Sequence, residues 1–143
     1  MRGYKDLKVY QLAYKSAMEI FNESKSFPKE ERYSLTDQIR RSSRSVATNI
    51  AEAFRKRQYS NMFVNKLSDS DAETAETQVW LDFSFDCAYL SQKRRDELVS
   101  VYKFSLSVIP AKAGIQNVLK TLDSRFHGND KKRRLQHLWT DTN

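Results

Sequence analysis

Residues 34–54 read Ser-Leu-Thr-Asp-Gln-Ile-Arg-Arg-Ser-Ser-Arg-Ser-Val-Ala-Thr-Asn-Ile-Ala-Glu-Ala-Phe, a segment with the pattern of an amphipathic helix. Its apolar side chains recur at the spacing of one helical face, at Leu35, Ile39, Val46, Ile50 and Phe54. Ser34 followed three residues later by Asp37 resembles a capping box, so a helix is predicted to begin at Ser34. Ser42 and Ser43 are small, which lets a neighbouring helix approach closely.

Three further helices are predicted around this one, so the fold class is all-α. Asp6 is a candidate cap for a first helix over about 6–24, a third helix covers about 62–89, and a fourth begins at Ser91. Only 3 Gly and 2 Pro are present, which fits helices better than sheets. Because short connections join antiparallel neighbours, we expect an antiparallel up-down-up-down four-helix bundle, with the fourth helix interrupted near Pro110.

The inner faces of the last two helices follow from the same periodicity. The third helix has an unusually polar inner face, which is predicted to consist of Phe63, Leu67, Thr74, Thr77, Leu81, Ser84 and Ala88. The fourth is predicted to face inward at Leu98, Val101, Tyr102 and Ser105.

The composition excludes several classes of protein. Cys87 is the only cysteine, so no intramolecular disulfide can form, and it is predicted to be a small core residue at a helix end. The charged segment 1–10 lacks the apolar stretch of a signal peptide. No run approaches the roughly 18 apolar residues of a membrane span. We therefore expect a soluble cytoplasmic protein without a membrane partner.

The net charge of +7 is unevenly distributed. Positive charge collects in the second helix and just after it, at Arg40, Arg41, Arg44, Arg55, Lys56 and Arg57. Residues 67–92 contain acidic side chains but neither Lys nor Arg. Two interpretations of the basic residues stay open. They form either a strip that binds nucleic-acid phosphates or a set of salt bridges to the acidic third helix, and the second is slightly favoured.

The sequence contains no pattern typical of a catalytic or metal site. Both histidines, His127 and His137, lie near the C-terminus, and the Glu-x-x-His pairs of di-iron bundles are absent. Ser42 and Ser43 have neither a histidine nor a glycine-rich loop near them in sequence. The sequence therefore predicts a protein that is not an enzyme and has no cofactor, metal or small-molecule substrate.

Residues 108–143 differ in origin from the bundle domain, which is predicted to span 1–107. Codons that fit residues 108–116, read as their reverse complement, give residues 122–130 at eight of nine positions, with His127 as the exception. The stretch resembles a translated palindromic repeat of the kind scattered through some bacterial genomes. We expect this tail to be dispensable. It is either docked on the bundle and partly helical, which we favour, or loose and disordered.

Three segments in linked order resemble a known family. They are Tyr-Lys-Asp-Leu-Lys-Val-Tyr-Gln-Leu-Ala at 4–13, Phe-Pro-Lys-Glu-Glu-Arg-Tyr-Ser-Leu-Thr-Asp-Gln-Ile-Arg-Arg-Ser at 27–42 and Ser-Val-Ala-Thr-Asn-Ile-Ala-Glu-Ala-Phe at 45–54. They are similar to bacterial four-helix bundle proteins whose founding members are encoded in intervening sequences within 23S ribosomal RNA genes. Ala53 departs from this resemblance, since the family commonly has Gly there, and the repeat replaces the last turns of the family's fourth helix.

The resemblance implies a ring-shaped homo-oligomer, expected to be a pentamer, with no known enzymatic activity. Two functions are then open. The first is a bundle, encoded in or near a 23S rRNA intervening sequence, that binds ribosomal RNA, another nucleic acid or a nucleoprotein partner. The second is a structural or neutral passenger protein without nucleic-acid binding. Steep loss of affinity with salt, and sensitivity to the loss of Arg40 and Arg44, distinguish the first from the second.

Overall fold

Four α-helices make up most of the described chain. The computed structural model describes residues 3–108, with side chains described for residues 3–103. The helices are α1 (Lys8–Glu23), α2 (Leu35–Arg55), α3 (Ser60–Asp86) and α4 (Gln92–Val108). Each packs against the next along the chain, and α4 also packs against α1, which closes a four-helix bundle. The predicted interruption near Pro110, both histidines and the repeat beyond Val108 lie outside the described residues.

The N-terminus of α1 differs from the prediction. A short 3₁₀ helix, Tyr4–Asp6, precedes α1, and Leu7 occupies the capping position without a side-chain acceptor. The prediction that Asp6 caps the first helix is therefore wrong. The Asp6 carboxylate instead accepts a hydrogen bond of 3.1 Å from the backbone N–H of Gly3.

Helix α2 begins where the sequence predicted, but its first backbone N–H group bonds to a different residue from the predicted cap. Ser34 is the capping residue, and its own side chain accepts no hydrogen bond from the helix. The carboxylate of Glu31 accepts one from the Leu35 N–H at 3.3 Å, and the Ser34 hydroxyl donates to the same carboxylate. These bonds, the one from Ser34 foremost, lower the pKa of the Glu31 carboxyl below its ordinary value.

The core collects the predicted apolar faces of all four helices. Its largest fully buried side chains include Leu7, Ile20, Ile39, Ile50, Leu81, Leu98 and Tyr102. On α3 the predicted inner face is confirmed from Phe63 to Ser84, and Ser70 joins it. Val99 is buried on α4, while Val101 is only half-buried and the side chain of Ser105 lies outside the described residues.

A layer of small hydroxyl side chains joins α2 and α3. The Thr77 and Ser42 hydroxyls share a hydrogen bond of 2.9 Å, and the Ser70 hydroxyl donates to the Val46 carbonyl at 3.1 Å. These three hydroxyl residues are fully buried. A side-chain bond to the backbone of the facing helix requires a close helix approach, so we call this contact the α2–α3 hydroxyl layer and treat it as the packing element that sets the register of the two helices.

The end of α3 explains why Cys87 is not a core residue. Ala88 follows it with φ 60°, in the left-handed region, and both Tyr89 N–H and Leu90 N–H bond to the Ser84 carbonyl. This turn directs Leu90 back into the core, where it is 7% exposed. Cys87 and Ala88 are left exposed on the outside of the turn, so the predictions that both face the core are wrong.

Replacing Thr77 with Val should weaken the α2–α3 hydroxyl layer at nearly constant side-chain size. The lost hydroxyl also donates to the Glu73 carbonyl at 2.8 Å, so we expect the free energy of unfolding to fall by about 1–2 kcal/mol in urea denaturation. Thr48→Val is the matched control, because Thr48 is exposed and bonds the Arg44 carbonyl of its own helix. The control should change stability by less than about 0.5 kcal/mol. Equal effects of the two substitutions would contradict the importance of the layer.

Replacing Ala88 with Gly should relieve backbone strain in the turn after α3. An L side chain is strained in this conformation and Gly is not, so Ala88→Gly should raise the free energy of unfolding by about 1 kcal/mol. Ala72→Gly, at an exposed position inside α3, should lower it by about 1 kcal/mol. A loss of stability from both substitutions, measured by the same denaturation, would argue against the turn.

Candidate nucleic-acid interface

The six predicted basic residues lie on three different parts of α2. Arg40 and Arg44 lie on the flank beside α1, and Arg41 lies on the flank beside α3. Arg55 is the last residue of α2, and Lys56 and Arg57 follow it in the turn toward α3. The single strip expected from the sequence is therefore divided by the rotation of the helix.

Arg41 behaves as the salt-bridge interpretation requires. Its Nη2 lies 3.5 Å from the Glu76 carboxylate on α3 and 3.2 Å from the Gln38 side-chain oxygen. Glu76 also accepts a hydrogen bond of 3.2 Å from the indole N–H of Trp80. Among residues 3–103, Arg41 is the one member of the six that pairs with an acidic side chain, so this interpretation accounts for it alone.

The basic residues at the end of α2 mainly stabilise the C-terminus of that helix. Arg57 donates from Nη1 to the Phe54 carbonyl at 2.8 Å, and its guanidinium carbon lies 4.1 Å from the centroid of the Phe54 ring. Lys56 occupies the capping position, where its backbone N–H bonds the carbonyls of the last turn. Positive charge at a helix C-terminus complements the helix dipole, so a structural role explains Lys56 and Arg57.

Arg40 and Arg44 meet two residues that sequence reasoning missed. The guanidinium carbons of Arg40 and Arg44 lie 4.8 and 5.5 Å from the centroid of the Phe21 ring on α1. The ammonium of Lys25 lies 4.8 Å from the same centroid. We call Phe21, Lys25, Arg40 and Arg44 the Phe21 cluster. Lys25 follows Phe21 by one helical turn, a signal present in the sequence, but its meeting with α2 depends on how the two helices pack.

Two acidic residues of α3, Asp69 and Asp82, pair with cations that are not on α2. Lys66, on α3 itself, lies 2.8 Å from Glu52 and 3.6 Å from Asp69. The hydrogen bond to Glu52 is the main reason that the pKa of Lys66 is raised. Asp82 pairs with Arg95 of α4 at 3.4 Å. Within the described residues, acidic α3 therefore does little to neutralise basic α2.

An apolar groove lies between the start of α2 and the end of α3, whereas the Phe21 cluster lies between α2 and α1. Its volume is about 470 Å³, and its lining includes Leu35, Trp80, Phe83 and Cys87. Apart from the thiol of Cys87, the one ionisable side chain that the described residues contribute to this lining is the acidic Glu31. The groove offers apolar surface but no positive charge for a phosphate.

The described residues hold no group of three or more His, Cys, Asp or Glu side chains that could bind a metal ion. The helices described between residues 3 and 108 include none long and apolar enough to cross a membrane.

Comparison with known proteins places the bundle in a family. The model of the family described as 23S rRNA-intervening sequence protein matches residues 5–107. The chain is also similar to a crystal structure from Bacteroides thetaiotaomicron, a protein of unknown function from the S23 ribosomal protein family. That similarity has a TM-score of 0.62 and 27% sequence identity, and it covers 72% of this chain and 96% of the other. No curated protein matches the chain. With a family match over residues 5–107 of 143, the chain belongs to the 23S rRNA-intervening sequence protein family.

Proposed function

We propose that the protein is a non-enzymatic helical bundle that binds RNA through Arg40 and Arg44 of α2 and associates with copies of itself. The observation that carries the RNA-binding part is the absence of acidic partners for Arg40 and Arg44 among residues 3–103. Two arginines that keep their full charge on one flank favour an anionic ligand. The family name supports RNA as that ligand, with a gene in or near a 23S rRNA intervening sequence.

Self-association is supported by a different surface. On α3 the side chains of Val79 and Phe83 are 50% and 51% exposed, one helical turn apart, and Phe83 borders the apolar groove. Exposed Asp82 and Asp86 flank them. Because apolar side chains gain free energy when they leave water, this surface is a candidate contact with a second copy of the chain.

RNA binding predicts a strong dependence on salt. For a fluorescein-labelled single-stranded RNA, three phosphate contacts would lower affinity roughly 20-fold between about 50 and 200 mM salt. Fluorescence anisotropy titrations at several salt concentrations measure this slope. Absence of binding at the lowest salt, or an affinity that does not depend on salt, would support the alternative of a passenger protein without nucleic-acid binding.

Self-association predicts a molar mass above that of one chain. Multi-angle light scattering at micromolar protein and about 150 mM salt should give a multimer, with a pentamer expected from the family. Phe83→Asp should shift the population toward monomer, because it places a charge on the apolar surface. Tyr59→Asp is the control, since Tyr59 is 65% exposed and lies at the other end of α3 from the groove. A strict monomer in the unmodified protein would refute the proposal of self-association.

A further inference from the structure

Three positive charges share one aromatic ring at the contact between α1 and α2. Each charged atom lies 4.8–5.5 Å from the centroid of the Phe21 ring, so no two of them are more than about 10 Å apart. This separation is comparable with the Debye length of roughly 8 Å at physiological ionic strength. Lys25, Arg40 and Arg44 therefore act on an approaching anion as one cluster.

The ring holds these cations without cancelling their charge. The face of a phenyl ring attracts a cation through its quadrupole and carries no net charge. Arg94 on α4 shows the opposite arrangement, because carboxylates of Glu19 and Glu23 on α1 and of Glu97 bind it directly. The charge of Arg94 is therefore neutralised by carboxylates within the bundle. The Phe21 cluster keeps three positive charges, with no acidic partner among residues 3–103.

Arg40 is also fixed in position by a hydrogen bond. Its Nε donates to the Ser24 hydroxyl at 2.7 Å, and that hydroxyl, in a residue only 3% exposed, donates to the Phe21 carbonyl at 3.0 Å. No other hydrogen bond of the Arg40 side chain is made to residues 3–103. The two terminal nitrogens therefore remain available as a preorganised fork, the geometry that binds phosphate oxygens in pairs.

We propose that the Phe21 cluster is a subsite for consecutive phosphates of one RNA strand, with Arg40 as its fixed fork and Ser24 as the residue that positions it. This inference rests on the proposed function, adds Lys25 to the two arginines and specifies their ligand as consecutive phosphates. A nucleic-acid strand carries one charge per roughly 3.4 Å of helix axis, so three cations within at most about 10 Å of one another can meet two or three phosphates.

A purely structural role is the competing explanation. α1 ends at Glu23, and cations beside the C-terminus of a helix stabilise it through the helix dipole. Under that explanation, removing the cluster lowers stability and leaves the binding of RNA unchanged. Affinity and stability must therefore be measured on the same variants.

The central experiment compares two double substitutions on α2 that remove the same charge. Arg40→Ala with Arg44→Ala should weaken binding of the labelled single-stranded RNA at least tenfold. It should also make the slope of log affinity against log salt shallower by about 1.4, which is 0.7 for each lost phosphate contact. The control, Arg41→Ala with Arg55→Ala, should leave the slope unchanged. Equal effects of the two pairs would overturn the subsite while leaving RNA binding by the protein intact.

Two conservative variants keep the inference testable if the double alanine variant is poorly folded. Arg40→Lys keeps the charge and loses the fork, and Ser24→Ala removes no charge but releases Arg40. Each should weaken RNA binding several-fold, with circular dichroism showing an intact helical bundle. Full affinity in both would overturn the role given to Arg40. No RNA binding by the unmodified protein would instead refute the proposed function, so the two failures are distinguishable.

Discussion

The close contact of α2 with α3 is the constraint on which the arrangement of the surface depends. Small hydroxyl side chains such as Ser42 and Thr77 let the two helices approach and bond to each other. An α-helix has 3.6 residues per turn, so fixing Ser42 and Val46 toward α3 also fixes every other position of α2. Arg41 then lies beside α3, and Arg40 and Arg44 lie beside α1. The buried hydroxyl layer thereby decides that Arg41 pairs with a carboxylate of α3, whereas Arg40 and Arg44 lie against Phe21 of α1.

The bundle uses two ways of holding a half-buried arginine, and the two have different electrostatic results. Arg94 binds carboxylates of α1 and of its own helix, and these hydrogen bonds, the one to Glu23 foremost, raise its pKa above the ordinary value. This arrangement joins α4 to α1 and leaves little net charge. Arg40 rests on a phenyl ring and a serine hydroxyl, so its position is fixed while its charge persists. If Arg40 only stabilised the packing of α1 against α2, a carboxylate partner could hold it in the same place.

Sequence periodicity was sufficient for the four helices and for most of their buried faces, including the polar inner face of α3. It could not identify features that depend on one local conformation or on the packing of two helices. Ala88 adopts a left-handed conformation that usually signals itself through Gly or Asn, so the exposure of Cys87 was not predictable. Phe21 and Arg40 are far apart in sequence, and their meeting depends on the packing of α1 against α2.

The C-terminal half of α3 separates polar from apolar side chains less than a bundle helix normally does, since its buried face combines Leu81 with hydroxyl side chains. Thr74, Thr77 and Ser84 face the core, whereas Val79 and Phe83 face outward and are about half exposed. Burial of apolar surface supplies most of the favourable free energy of folding, roughly 25 cal/mol per Å². A helix with hydroxyls inside and apolar side chains outside contributes less of it to the isolated bundle. The same helix gains it when a second surface covers Val79 and Phe83. Self-association would therefore bury the apolar surface that α3 leaves exposed, and it would leave uncovered the Phe21 cluster, which lies on the flank of α2 beside α1 and which we propose as the RNA subsite.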